Sequence, residues 1–163
     1  MPFFIKIRRK NQNGGKDNDM KKTLLYRLFG VGKIPAQYAS ALQSEGVILS
    51  DEGISGTVTY RNFRSPQQIT NWRKQWYVAS IAMTNTRLLA FRFSTVIIDV
   101  PFSDERFRGL QFSLEGETTL LVAFDASLFH DDWSGTIEYR FKTLLAPDLL
   151  NKLREQIVEF TNS

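Results

Sequence analysis

The chain has 163 residues, 42% of them hydrophobic and 23% charged, the balance of a globular domain, and its length suits one core rather than two. It contains no cysteine, which excludes disulfides, thiol nucleophiles and thiolate metal sites, and a single histidine, His130, which excludes a two-histidine metal site within one chain. No apolar run approaches the roughly 18 to 20 residues that a membrane-spanning helix needs, and Met1 to Lys10 does not have the layout of a secretory signal, so a cytoplasmic home is expected.

The net charge of +4 conceals an asymmetry. Through Lys33, nine basic residues face only Asp17 and Asp19, a local balance of +7, while the rest of the chain stands at −3. Between Glu52 and Asp99 there is no acidic residue, yet Arg61, Arg64, Arg73, Lys74, Arg87 and Arg92 all fall there. A positive field of this kind attracts anionic partners with a strength that falls as salt rises. The competing reading is that these cations pair across a sheet with acids from elsewhere in the chain.

Taken in order, residues 1–22 read as a basic flexible arm. Lys10 to Lys22 is polar and glycine-bearing and cannot bury enough surface to order itself. Phe3, Phe4, Ile5 and Ile7, interleaved with Lys6, Arg8 and Arg9, fit either an added edge strand or an amphipathic membrane foot. Residues 23–46 form a short helical extension. Thr23–Phe29 is stopped by Gly30 and Gly32, and a second helix, through Ala36, Tyr38, Ala39, Ala41 and Leu42, ends at Gly46. Gly30, Gly32 and Lys33 are not a phosphate loop, because Ile34 follows the lysine where Ser or Thr is required.

After Gly46 the apolar spacing changes from helical to alternating. Strands are expected at Val47–Leu49, continuing past a turn at Asp51, Glu52 and Gly53 into Ile54–Phe63, then at Gln75–Thr84, Arg87–Phe93, Thr95–Phe102, Gly109–Leu114, Thr118–Phe124 and Gly135–Thr143. Ile137, Tyr139 and Phe141 against Glu138, Arg140 and Lys142 give the cleanest in-and-out alternation. Glu115, Gly116 and Glu117 mark a hairpin, and Thr84, Asn85 and Thr86 a second, short turn, since Asn tolerates left-handed backbone geometry. The segment SPQQITNW between Arg64 and Arg73 reads as a long loop. Pro147 and Asp148 then open a helix, 147–161, whose Leu149, Leu150, Leu153, Ile157 and Phe160 form one apolar stripe.

About seven antiparallel strands followed by one helix, together with GVILSDEGISGTVTYRNF, the segment MTNTRLLAF and the helix after LLAPD, resemble the pleckstrin homology (PH)-like superfamily, in its bacterial PH and GRAM-like branch. The T-x-x-R-L turn of that branch corresponds to Thr84, Arg87 and Leu88. The resemblance covers residues 47–163. It implies a mainly β, α+β fold, a strongly bent sheet closed into a partly open barrel and capped by the C-terminal helix, and a noncatalytic role in binding lipids, peptides or proteins. In lipid-binding members, basic residues on the first two strands and their connection hold headgroup phosphates. Arg61, Arg64, Arg73 and Lys74 flank the corresponding connection here, although position 76 is Trp where that pattern has Arg.

Two functions compete. In the first, the protein is a noncatalytic PH/GRAM-like module for a protein partner or an anionic membrane surface, peripheral to the inner membrane in the latter case. Arg61, Arg64, Arg73, Lys74 and Trp72 are then its contact residues, and it has no cofactor, no metal and no catalytic residue. Nucleic acid is a weaker candidate partner, through the basic arm. In the second, the barrel is a small-molecule or lipid carrier or enzyme with an interior lined by Phe91, Phe93, Phe112, Phe124 and Tyr139. His130, Asp131 and Asp132 read as a solvated loop, and Asp99 is expected to reach outward or to meet an arginine.

Overall fold

The computed structural model describes Lys22, Gly30 and residues 32–162. Nearly all of the basic arm and the helix expected at Thr23–Phe29 lie outside the described residues. The second expected helix is present as a 3-10 turn, Ala36–Tyr38, running into α1 (Ala39–Glu45). Then come β1 (Val47–Ser65), β2 (Gln68–Thr84), β3 (Arg87–Arg92), β4 (Thr95–Pro101), a short α2 (Glu105–Arg108), β5 (Gln111–Glu115), β6 (Thr119–Asp125), β7 (Ser134–Lys142) and α3 (Ala146–Thr161).

The seven antiparallel strands form one open sheet in the order β4-β3-β2-β1-β7-β6-β5. Laid flat, seven strands would span about 29 Å, too far for the two ends to share one layer of side chains. Instead Ile98 and Val100 of β4 belong to the same buried cluster as Leu120 and Val122 of β6, and Phe112 and Leu114 of β5 pack against it. The sheet is therefore bent around a single core.

The stripe on α3 enters that core. Leu149, Leu150 and Leu153 are buried in it, and Ile157 and Phe160 pack at its margin. Pro147 sits in the first turn, where a missing N–H costs nothing. A polar tie fixes where the helix begins. The Thr143 hydroxyl donates to Asp51 at 2.6 Å and accepts from the Leu145 N–H at 3.1 Å, and Lys22 forms an ion pair with the same Asp51.

A second, smaller cluster lies on the other face of the sheet. Leu42 of α1, with Ile34 and Tyr38, packs on Ala82, Leu89 and Phe91. This explains why the second half of β2 and most of β3 read as unbroken apolar runs: both of their faces are covered.

Four expectations are corrected. Asp51, Glu52 and Gly53 are not a turn between strands but a bulge inside the continuous β1, where Gly53 has φ +66° and donates its N–H to the Gly32 carbonyl at 3.0 Å. Asn85 is not left-handed; among the non-glycine residues described, that geometry occurs at Asn62 and Phe93. The Asn85 amide instead donates to the Glu45 carbonyl at 2.9 Å, joining the turn to α1. The five aromatics expected to line one interior do not share a compartment: Phe112, Phe124 and Tyr139 belong to the main core, Phe91 to the second cluster, and Phe93 is exposed in the β3–β4 turn.

The fourth and largest correction concerns the segment between Arg64 and Arg73. It is not a long loop. β1 and β2 continue to a two-residue turn, Pro66–Gln67, and pair as far as Ser65 with Gln68. The β2 side of this end was hidden because none of Gln68–Lys74 is buried, so no apolar alternation marks it as strand. Two short elements also carried no recognised signal: α2, capped by the Asp104 carboxylate on the Arg106 N–H, and a 3-10 turn at Ala126–Leu128, capped by Asp125 on the Ser127 N–H.

Removing the Leu153 side chain opens a cavity under the helix, so Leu153→Ala is expected to cost about 2–5 kcal/mol in urea denaturation. Gly135 has φ +96°, and a Cβ there would stand 2.5 Å from the Asn62 carbonyl oxygen and 2.7 Å from that of Arg61. Gly135→Ala should therefore cost more than about 2 kcal/mol in the same measurement.

A basic and aromatic ribbon as the candidate binding site

The site is built by the half of the β1–β2 ribbon nearer the Pro66–Gln67 turn, where β1 still sends Val58 and Phe63 into the core but β2 is largely exposed. Trp72, Lys74 and Trp76 alternate along β2 and so share one face, with Arg61, Thr59 and Thr57 of β1 opposite them. Arg73 and Gln75 occupy the other face of β2, opposite Tyr60 and Val58. Nearer the turn, Arg64 stands opposite Ile69. Large apolar side chains are left in water here: Ile69 is 73% exposed, Trp72 59% and Trp76 51%. The Trp76 indole N–H donates to the Ser55 hydroxyl at 2.9 Å, which fixes the ring over β1.

The five predicted contact residues thus lie on one ribbon, but they do not form one cluster. Arg61, Trp72 and Lys74 share a face, Arg73 points the other way, and Arg64 is close to the turn. Nor are the cations equivalent. Arg61 donates to Glu138 at 2.7 Å, and Arg140 donates to Glu138 at 2.9 Å, to the Thr59 hydroxyl at 3.2 Å and, through two nitrogens, to Glu115 at 2.8 and 2.9 Å. This ladder neutralises Arg61. Burial alone would raise the Glu138 pKa, but the hydrogen bonds from Arg61 and Arg140 outweigh it and hold the carboxyl below its ordinary range.

Arg87 is likewise occupied, held by Glu45 at 2.8 Å and by Asp99 at 3.1 Å. Asp99 therefore meets an arginine, as its position within an apolar stretch suggested. By contrast, no described carboxylate lies within ion-pair distance of Arg64, Arg73 or Lys74. Trp76, adjoining the predicted set, is the additional surface residue; the signal was its spacing of two from Lys74 and four from Trp72.

The ribbon also has a free side. β3 pairs with β2 only over Ala79–Met83, and no described strand pairs with β2 on that side between Gln68 and Tyr77.

Other chemistry-bearing residues stand elsewhere. The His130 ring stacks on Trp133 with centroids 3.8 Å apart, and Trp133 meets Phe63 edge-on at 5.3 Å, so this segment folds over the rim of the core. No group of three or more His, Cys, Asp or Glu is placed to hold a metal among the described residues. No described helix is long and apolar enough to cross a membrane. Compared with models of known protein families and with curated proteins, the sequence matches none.

The ladder has a pH signature. A carboxyl held below its ordinary value of 4.5 contributes stability above that value and loses it as the pH falls through the lower, folded value. Glu138→Gln should therefore be less stable than the parent by on the order of 1 kcal/mol at neutral pH. That gap should close as denaturation curves are taken down through the carboxylate range.

Proposed function

We propose that this protein is a noncatalytic binding module of the PH/GRAM-like kind, whose β1–β2 ribbon docks an acidic partner protein. One observation carries the reading: Arg73 and Lys74, bracketed by the exposed Trp72 and Trp76, stand on strand β2 with no carboxylate partner among the described residues. Arg61, on the same ribbon, and Arg87, Arg106 and Arg140 are by contrast each matched with carboxylates. Cations left unmatched beside solvent-facing tryptophans are the composition of a protein interface, where aromatic and basic side chains supply most of the affinity and complementary charge supplies steering.

The bent seven-stranded sheet and its C-terminal helix agree with what the resemblance to PH-like domains implies. The interior supports binding at the surface rather than a carrier, since Tyr77, Phe107 and Phe141 are wholly buried among their neighbours in the main core. A protein is favoured over a membrane because Arg73 and Lys74 lie on opposite faces of the ribbon. A planar lipid surface meets one face, whereas a polypeptide has contours that meet both.

The test compares the full chain with an Arg64→Glu, Arg73→Glu, Lys74→Glu triple variant for binding to poly-L-glutamate and to vesicles of phosphatidylserine and phosphatidylcholine. The parent should bind poly-L-glutamate in a salt-sensitive manner, and the triple variant should bind at least about tenfold more weakly. Equal binding by the two proteins, or binding to vesicles but not to the polypeptide, overturns the proposal.

A further inference from the structure

We infer that the partner is captured as an added strand: an extended acidic segment pairs with the free edge of β2 along Trp72–Trp76. The inference rests on reading the ribbon as a site for an acidic protein, and it adds the mode of recognition and the conformation of the ligand.

The orientation of the backbone carries it. The Val78 carbonyl accepts from the Phe93 N–H at 2.8 Å, so the backbone groups of Val78 face the β3 side. Along a strand these groups alternate sides, which directs the N–H and C=O of Trp76, Lys74 and Trp72 to that same side. There β3 has already ended at Arg92 and turned into β4, and no described strand takes its place. Three consecutive donor and acceptor pairs thus form a template about 13 Å long. Such an edge attracts another chain unless it is short, covered or charged.

The charge selects the occupant. From Gly53 to Ile98 the sequence has no acidic residue, so a second copy of the ribbon would bring Arg64, Arg73 and Lys74 against their own kind. The arm's Lys6, Arg8 and Arg9 carry the same sign. An extended acidic segment meets no such repulsion. Laid along the edge, it projects side chains alternately to both faces, reaching Lys74 on one and Arg73 on the other, while apolar positions meet Trp72 and Trp76.

The experiment uses the full chain and a fluorescein-labelled decapeptide of alternating Glu and Thr, followed by fluorescence anisotropy. Two further probes carry N-methyl groups on all Glu amides or on all Thr amides, so that only one set of amides at a time is blocked. Strand addition requires that one methylated probe bind at least tenfold more weakly than the parent peptide and that the other bind like it. In addition, an Arg73→Glu, Lys74→Glu variant should prefer the Lys and Thr counterpart of the peptide. If both methylated probes bind as the parent peptide does, strand addition is overturned while the charge-based proposal stands. Failure of the unmethylated peptide to bind overturns strand addition, and poly-L-glutamate binding then reports separately on the acidic-partner reading. A dimer in sedimentation that the acidic peptide does not dissociate overturns it in favour of a second copy of the chain.

Discussion

Strands β1 and β2 have 19 and 17 residues, whereas their outer neighbours β7 and β3 have 9 and 6. This difference in length is the constraint from which the rest of the molecule follows. Where all the strands overlap, the sheet curls around one core and α3 covers it. Where β3 has ended, β2 has no described neighbour on that side, and although β7 continues beside β1 as far as Arg64, this half of β2 turns apolar and basic side chains to water. The transition is built into the backbone. Asn62, at φ +48°, breaks the register between β1 and β7, Gly135 lies against the carbonyls beside it, and Phe63 is returned to the core against Tyr60 and Trp133.

The same arrangement governs the charges. Within the sheet, three arginines find carboxylates: Arg61 with Glu138, Arg140 with Glu115 and Glu138, Arg87 with Glu45 and Asp99. Such partly exposed pairs contribute modestly to stability. Their larger consequence is to cancel the local field around these pairs, whereas Arg64, Arg73 and Lys74 have no described carboxylate within ion-pair distance. Thus the charges of Arg64, Arg73 and Lys74 are unmatched by any described carboxylate, the Arg73 guanidinium lying instead against the Gln75 side-chain amide.

Elements whose two faces meet different surroundings were legible. Ile137, Tyr139 and Phe141 point into the core and Glu138, Arg140 and Lys142 point away, so β7 announces itself by alternation, and the leucine stripe of α3 does so by helical spacing. β3 was legible for a different reason, because α1 and the core bury both of its faces and leave an unbroken apolar run. Gln68–Lys74 was not legible, since a strand wet on both faces is chemically the same as a loop, and Pro66 with Gln67 gave the impression of more irregular chain than there is. The candidate residues were found by charge and aromatic content. Their division between two faces was not, because it depended on recognising Gln68–Lys74 as strand.

By itself, then, the sequence determined a mainly β chain with a C-terminal helix, the absence of thiol chemistry, and a long stretch bearing cations but no acids. These are properties of local composition and periodicity, and they are legible wherever burial alternates along the chain. The tertiary structure alone decided which cations keep their charge unmatched and that part of one edge of β2 is unpaired among the described residues. Both depend on residues distant in sequence, as Arg61 and Glu138 are, 77 positions apart, and on where a neighbouring strand happens to end.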